Sequence, residues 1–162
     1  MSVYSVNEVI EMAVQIEHNG YAFYNEALKH KGLDASSQKL LTTLRDQELN
    51  HEKTFLALRD EADVKGLEMT MDWELISSYL KTIVESRLFT NETSAIKAAT
   101  QAIDFNAILD AAINFEKDTL LYFHTIKDAI NSEKGKFAVA KIIHEEITHI
   151  LKLTEFKAIH GK

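Results

Sequence analysis

Cysteine and proline are absent from the 162-residue chain, and glycine occurs only five times. Without cysteine there is no disulfide, thiolate metal site, iron–sulfur cluster or thiol nucleophile. Without proline nothing breaks a long helix by removing an N–H donor and crowding the preceding turn. Basic residues are in the minority, 18 Lys and Arg against 25 Asp and Glu, for a formal charge of −7. That balance argues against a phosphate-binding surface and so against nucleic acid as a partner. No apolar run approaches the roughly 20 residues that span a bilayer. The opening MSVYSVNEVIEMAVQ lacks the basic and apolar segments of a secretory signal. The expectation is one helical domain over residues 1–162, cytoplasmic, with no membrane and no nucleic-acid partner.

What is present is a 3.6-residue apolar period in four long segments. They run over about 6–30, 36–65, 105–131 and 134–159. Ile10, Ala13, Val14, Leu28 and their counterparts Leu41, Leu44, Phe55, Leu109, Ile113, Val139, Ile142 and Leu153 form the inward stripes. Gly32 follows the first segment, and Asp34, Ser36 and Ser37 offer N-caps for the second; Gly66 closes it. Asp104 or Asn106 can cap the third, and Asn131, Ser132 and Gly135 separate it from the fourth. Short connections make each pair an antiparallel hairpin. Between the hairpins, about 72–103 reads as a helical crossover. Trp73, Ile76, Leu80 and Ile83 form a stripe after Asp72, and Thr93 or Ser94 offers a cap for a second helix bearing Ile96, Ala99 and Ile103. The fold class is all-α: an antiparallel four-helix bundle with a long helical crossover between helices two and three.

The two hairpins repeat one another. NEVIEMAVQIEHNGYAFY at 7–24 aligns without a gap on NAILDAAINFEKDTLLYF at 106–123. This pairs Glu17 with Glu116 and Phe23-Tyr24 with Tyr122-Phe123. At an offset one residue smaller, Glu48-Leu-Asn-His51 pairs with Glu146-Ile-Thr-His149. Each Glu-x-x-His places both side chains on one helix face. One such match carries little weight. The specificity lies in where the six residues stand: all replace apolar residues of the inward stripes, near the middle of their helices. In an antiparallel bundle they meet at one level. Four carboxylates and two imidazoles in one buried layer repel strongly, about 4 kcal/mol per pair of unit charges 4 Å apart at an effective dielectric near 20, and no basic residue stands at a matching position to neutralise them. Two divalent cations would. Oxygen-rich ligation with one imidazole per ion suits iron, with manganese as the alternative.

The six-residue set matches the di-iron and di-manganese carboxylate constellation of helical bundles, and the chain resembles the ferritin-like superfamily, most of all the rubrerythrin-type di-iron proteins. The resemblance covers the four bundle helices. It implies that Glu48 and Glu146 bridge two metal ions, that Glu17 and Glu116 are terminal carboxylates, and that His51 and His149 each hold one ion. It further implies reduction of hydrogen peroxide or oxygen. Typical rubrerythrins carry a four-cysteine rubredoxin domain, which this chain lacks, so the electrons are expected from a separate donor protein. Rubrerythrins also carry an extra Glu where Thr119 stands, and the plain six-residue set is closer to bacterioferritin, although Leu49 replaces the haem-ligating Met of that family. Two alternatives accordingly stay open: a ferroxidase of ferritin type, and a structural metal-binding bundle.

Other polar residues are read from their angular position. Glu145 leaves the inward stripe by about 100° and is expected in solvent. His18 and His144 also fall off the stripes; they are expected at the surface, with a supporting role at the site as the alternative. Tyr21 and Tyr24 flank Glu17 within two turns and are candidates to hydrogen-bond a carboxylate. Apolar area left by a bundle with a crossover points to a homodimer.

Overall fold

The computed structural model describes residues 6–65, 73–86, 91–130 and 132–160. Helix α1 spans Val6–Ala27, α2 Ala35–Lys65, α3 Trp73–Ser86, α4 Glu92–Gln101, α5 Phe105–Ala129 and α6 Glu133–His160. There is no strand among the described residues. Helices α1 and α2 form one hairpin and α5 and α6 the other. The crossover is packed rather than slack, with α4 against α1 and α3 against α5.

Local chemistry sets the boundaries. In the first turn Gly32 adopts φ 86°, a left-handed conformation in which a Cβ is strained. Asp34 then accepts from the Ser37 amide at 2.7 Å and starts α2. Asp104 accepts from the Ala107 amide at 2.8 Å and starts α5. The start of α4 differs from expectation. Its cap is Asn91, not Thr93 or Ser94, and Ser94 is the reciprocal member of a capping box. Ile103 was expected on the α4 stripe, yet it is 91% exposed. The helix ends at Gln101 and Ala102 turns extended, so the backbone carries Ile103 away from the core before Asp104 starts the next helix. The expected roles of Gly66, Asp72, Asn131 and the Trp73 side chain lie outside the described residues.

The crossover widens the core. Ile16, Phe23, Phe115 and Tyr122 are buried although they lie beside the simple inward stripes. Helices on the outer faces of α1 and α5 cover them. Leu80 and Ile83 of α3, with Ala95 and Ala99 of α4, supply the covering surface. Phe55 against Phe123, with ring centres 5.0 Å apart, closes the interior between the two hairpins.

Candidate metal centre

The structure brings all six predicted residues into one interior layer. Glu17 comes from α1, Glu48 and His51 from α2, Glu116 from α5, and Glu146 and His149 from α6. His51 is 2% exposed and the other five are wholly buried. Two overlapping groups each have ligand-type atoms within 4.8 Å of one another: Glu17, Glu48, His51 and Glu146, and Glu48, Glu116, Glu146 and His149. Glu48 and Glu146 belong to both.

Glu146 lies between the two rings. Its Oε1 is 2.8 Å from His51 Nδ1 and its Oε2 is 2.8 Å from His149 Nδ1. His51 Nδ1 is also 3.4 Å from Glu17 Oε2. His149 Nδ1 is 3.4 Å from Glu48 Oε1 and 3.6 Å from Glu116 Oε1. These approaches are short, but they lack hydrogen-bond direction. Both oxygens of Glu17, Glu48 and Glu146, Oε2 of Glu116 and Nδ1 of both histidines are buried without a hydrogen-bond partner. Each such atom costs about 1–3 kcal/mol, more when charged. Neighbouring ligands of one octahedral cation, with bonds near 2.1 Å, stand about 3 Å apart. No Lys or Arg is buried among the described residues. The converging, unpartnered oxygens and nitrogens therefore fit two cations that share Glu48 and Glu146.

The outer nitrogens of the histidines are tied down. His51 Nε2 lies 2.6 Å from Glu145 Oε2, and His149 Nε2 lies 2.9 Å from Gln47 Oε1. A carboxylate and an amide oxygen only accept, so each Nε2 carries a proton and each Nδ1 faces inward. This corrects the expectation that Glu145 is simply solvated. Its side chain is 35% exposed, but its carboxylate reaches across to the histidine of the opposite hairpin. Gln47 was not foreseen. It stands one residue before Glu48, as Glu145 stands before Glu146, and the repeat between the hairpins is the signal that could have exposed both. His18 instead lies within reach of Glu92 and Glu52 at the surface, and His144 is exposed.

Of the two tyrosines, Tyr24 reaches the layer. Its hydroxyl donates to Glu116 Oε1 at 2.6 Å. Tyr21 does not share this role; its ring stacks on His18 and is half-buried. Thr119 donates to its own helix at the Phe115 carbonyl, 2.9 Å away. Gly20 leaves room for Glu48: a Cβ there would stand 2.3 Å from Glu48 Oε2 and 2.8 Å from the Phe115 ring. A cleft of about 460 Å³ opens over His51, lined also by Gln47, Asn50, Thr54, Lys141 and Glu145.

The electrostatics follow from burial without compensation. Burial, reinforced by the Glu146 charge, pushes Glu17 up to about 7 and Glu116 up to about 8. Burial and the charges of Glu146, Glu116 and Glu17 hold Glu48 well above the usual carboxylate range. Burial alone would raise Glu146 too, but the two imidazoles against it outweigh that and keep it ionised. Burial would lower His51, yet the Glu17 charge and the oxygens of Glu146 and Glu17 against its ring drive it up to about 12. His149 is raised likewise, by Glu116, Glu146 and Glu48. Burial and the neighbouring Glu116 charge hold the Tyr24 hydroxyl in its protonated form. In the metal-free protein, protons on these residues do the neutralising that cations can do.

The all-helical bundle and its buried layer define a ferritin-like fold. The chain is similar over its whole length to a crystal structure from Thermotoga maritima described as a ferritin-like diiron-carboxylate protein, with a TM-score of 0.72, 23% identity, and 100% of this chain and 99% of that one covered. No family model and no curated protein matches the sequence. What the two chains share is the fold.

Proposed function

We propose that the chain is a di-iron carboxylate oxidoreductase of rubrerythrin-like type that reduces hydrogen peroxide or oxygen with electrons from a separate donor protein. One observation carries this reading: buried carboxylate oxygens and imidazole nitrogens converge in two overlapping groups without hydrogen-bond partners. Glu48 and Glu146 would be shared between two ions, Glu17 and His51 would complete one position, and Glu116 and His149 the other. Iron suits this ligand set best and manganese second. Reduction of one peroxide to two waters takes two electrons and two protons; two ferrous ions held by these residues would supply the electrons, and a separate donor would return them.

The protein's own residues prepare the site. Glu145 and Gln47 hold both imidazoles with Nδ1 inward. Tyr24 fixes Glu116. Phe55 and Phe123 keep the neighbouring layer dry. The cleft over His51 offers a small oxidant its approach.

Anaerobic reconstitution with ferrous iron, metal analysis and stopped-flow mixing test the proposal. About two irons per chain are expected, with oxidation by peroxide that is fast and uses one peroxide per iron pair. Protein that binds no iron, or binds it and does not react with peroxide or oxygen, sinks it.

A second reading, ferrous oxidation for storage, draws support from Thr119, which offers no additional carboxylate. It requires a hollow shell of many subunits. We propose a homodimer instead, with exposed Phe137, Leu151 and Ile159 of α6 among the surface it can cover. Size-exclusion chromatography separates the two assemblies.

A further inference from the structure

The internal repeat lets one half of the centre serve as a control for the other. Equivalent positions in the two hairpins ought to play equivalent parts, so a chemical difference between them marks a difference between the halves. Two such differences surround the layer. Glu145 and Gln47 are equivalent, yet His51 Nε2 donates to a carboxylate at 2.6 Å while His149 Nε2 donates to a neutral amide at 2.9 Å. Tyr24 and Phe123 are equivalent too. The Tyr24 hydroxyl donates to Glu116 at 2.6 Å, whereas Phe123 has no hydroxyl, and both oxygens of Glu17 stand without a hydrogen-bond partner.

Both differences act in the same direction. A carboxylate accepting the outer N–H makes an imidazole more basic at its inner nitrogen than an amide does. A hydrogen bond to Glu116 draws off charge that the carboxylate would otherwise donate inward, and an ionised Glu17 has no such bond to draw its charge away. We propose that the two metal positions are unequal, with the one formed by Glu17 and His51 binding a divalent cation more tightly than the one formed by Glu116 and His149. Glu145 and Tyr24 are the positioning residues that set the difference. This rests on the metal-centre reading above.

Cobalt(II) titrated into chelator-stripped full-length protein, followed by its visible absorption, tests the proposal without any turnover. Changes around a metal ligand of this kind shift affinity by about 10–100-fold. The wild type is therefore expected to fill in two steps separated by about tenfold or more. His51→Ala should remove the tight step and His149→Ala the weak one. Glu145→Gln and Tyr24→Phe should each draw the steps together, and Glu145→Gln combined with Gln47→Glu should reverse their order. Circular dichroism checks that each variant is helical; should Glu145→Gln not fold, Tyr24→Phe and Gln47→Glu carry the same comparison. Two cobalt ions bound with equal affinity overturn the inequality and leave the metal centre standing, as does a two-step titration unchanged in the folded variants. Wild-type protein that takes up no cobalt overturns both.

Discussion

Glu146 presents one oxygen to each imidazole, and no other side chain in the layer has both rings within 3 Å. If Glu146 is shared as proposed, its removal takes a ligand from both positions at once. Glu146→Ala is expected to lower bound iron from about two ions per chain to nearly none while the helices persist, as metal analysis and circular dichroism would show. Full iron content in this variant would refute the shared role. Gly20 acts from the opposite side. In Gly20→Ala the new methyl competes with the Glu48 carboxylate and the Phe115 ring for the same space. Overpacking of this kind costs about 1–3 kcal/mol, against which alanine returns about 1 kcal/mol of helix propensity. The metal-free protein should therefore lose up to about 2 kcal/mol, while the displaced Glu48 also weakens metal binding. A melting temperature that falls further in the metal-loaded form than in the chelated form is the expected result.

Individual helices depend on their caps because the first turn of each has N–H groups with no partner inside the helix. Asp104 supplies an acceptor to α5, the helix that carries Glu116. Asp104→Ala is expected to cost about 1 kcal/mol, or about 2–4 °C in melting temperature for a chain of this size. The residue lies far from the metal layer along the helix, so iron content should not change. Helix α4 bears a comparable device in the Asn91–Ser94 box. The helix was legible from its apolar spacing; its cap was not. Thr, Ser and Asn are all good acceptors, and a cap is chosen by where the chain arrives, which spacing alone does not specify. The exposed Ile103 has the same origin, since a periodic stripe does not say where the period stops.

For the molecule as a whole, the buried charges link stability to pH and metal. Glu17 and Glu116, raised from 4.5 to about 7 and about 8, bind protons more tightly in the folded state. Their contribution to stability is present below about pH 4.5 and is lost as pH rises through 7 to 8. His51, raised from 6.5 to about 12, adds a further loss from pH 6.5 upward. Glu146, whose folded pKa is lowered, contributes in the other direction, but that contribution is complete once pH exceeds 4.5. The metal-free protein should thus melt at progressively lower temperature from pH 5 to pH 9. The loaded protein should show the opposite slope between pH 5 and 8, because cations compete with protons for the same atoms. A flat profile for the chelated protein would contradict the assignment of buried, uncompensated carboxylates. At neutral pH, metal at a hundred times its dissociation constant should add about 2.7 kcal/mol, read as a rise in melting temperature over the chelated form.

Periodicity, the absence of proline and the doubled Glu-x-x-His spacing were sufficient for the four long helices, their pairing and the six converging side chains. Those features are local or repeat at fixed intervals, and a helix converts sequence spacing into direction. The partners one layer out were a different matter. Glu145 lies 100° from the stripe of its own helix and becomes important only because α2 brings His51 within 2.6 Å of it. Gln47 meets His149, and Tyr24 meets Glu116, 102 and 92 residues away in the chain. Tyr21, with the same spacing argument in its favour, faces His18 instead. Such contacts depend on how helices are rotated and set against each other, a property of their mutual packing that no single helix encodes.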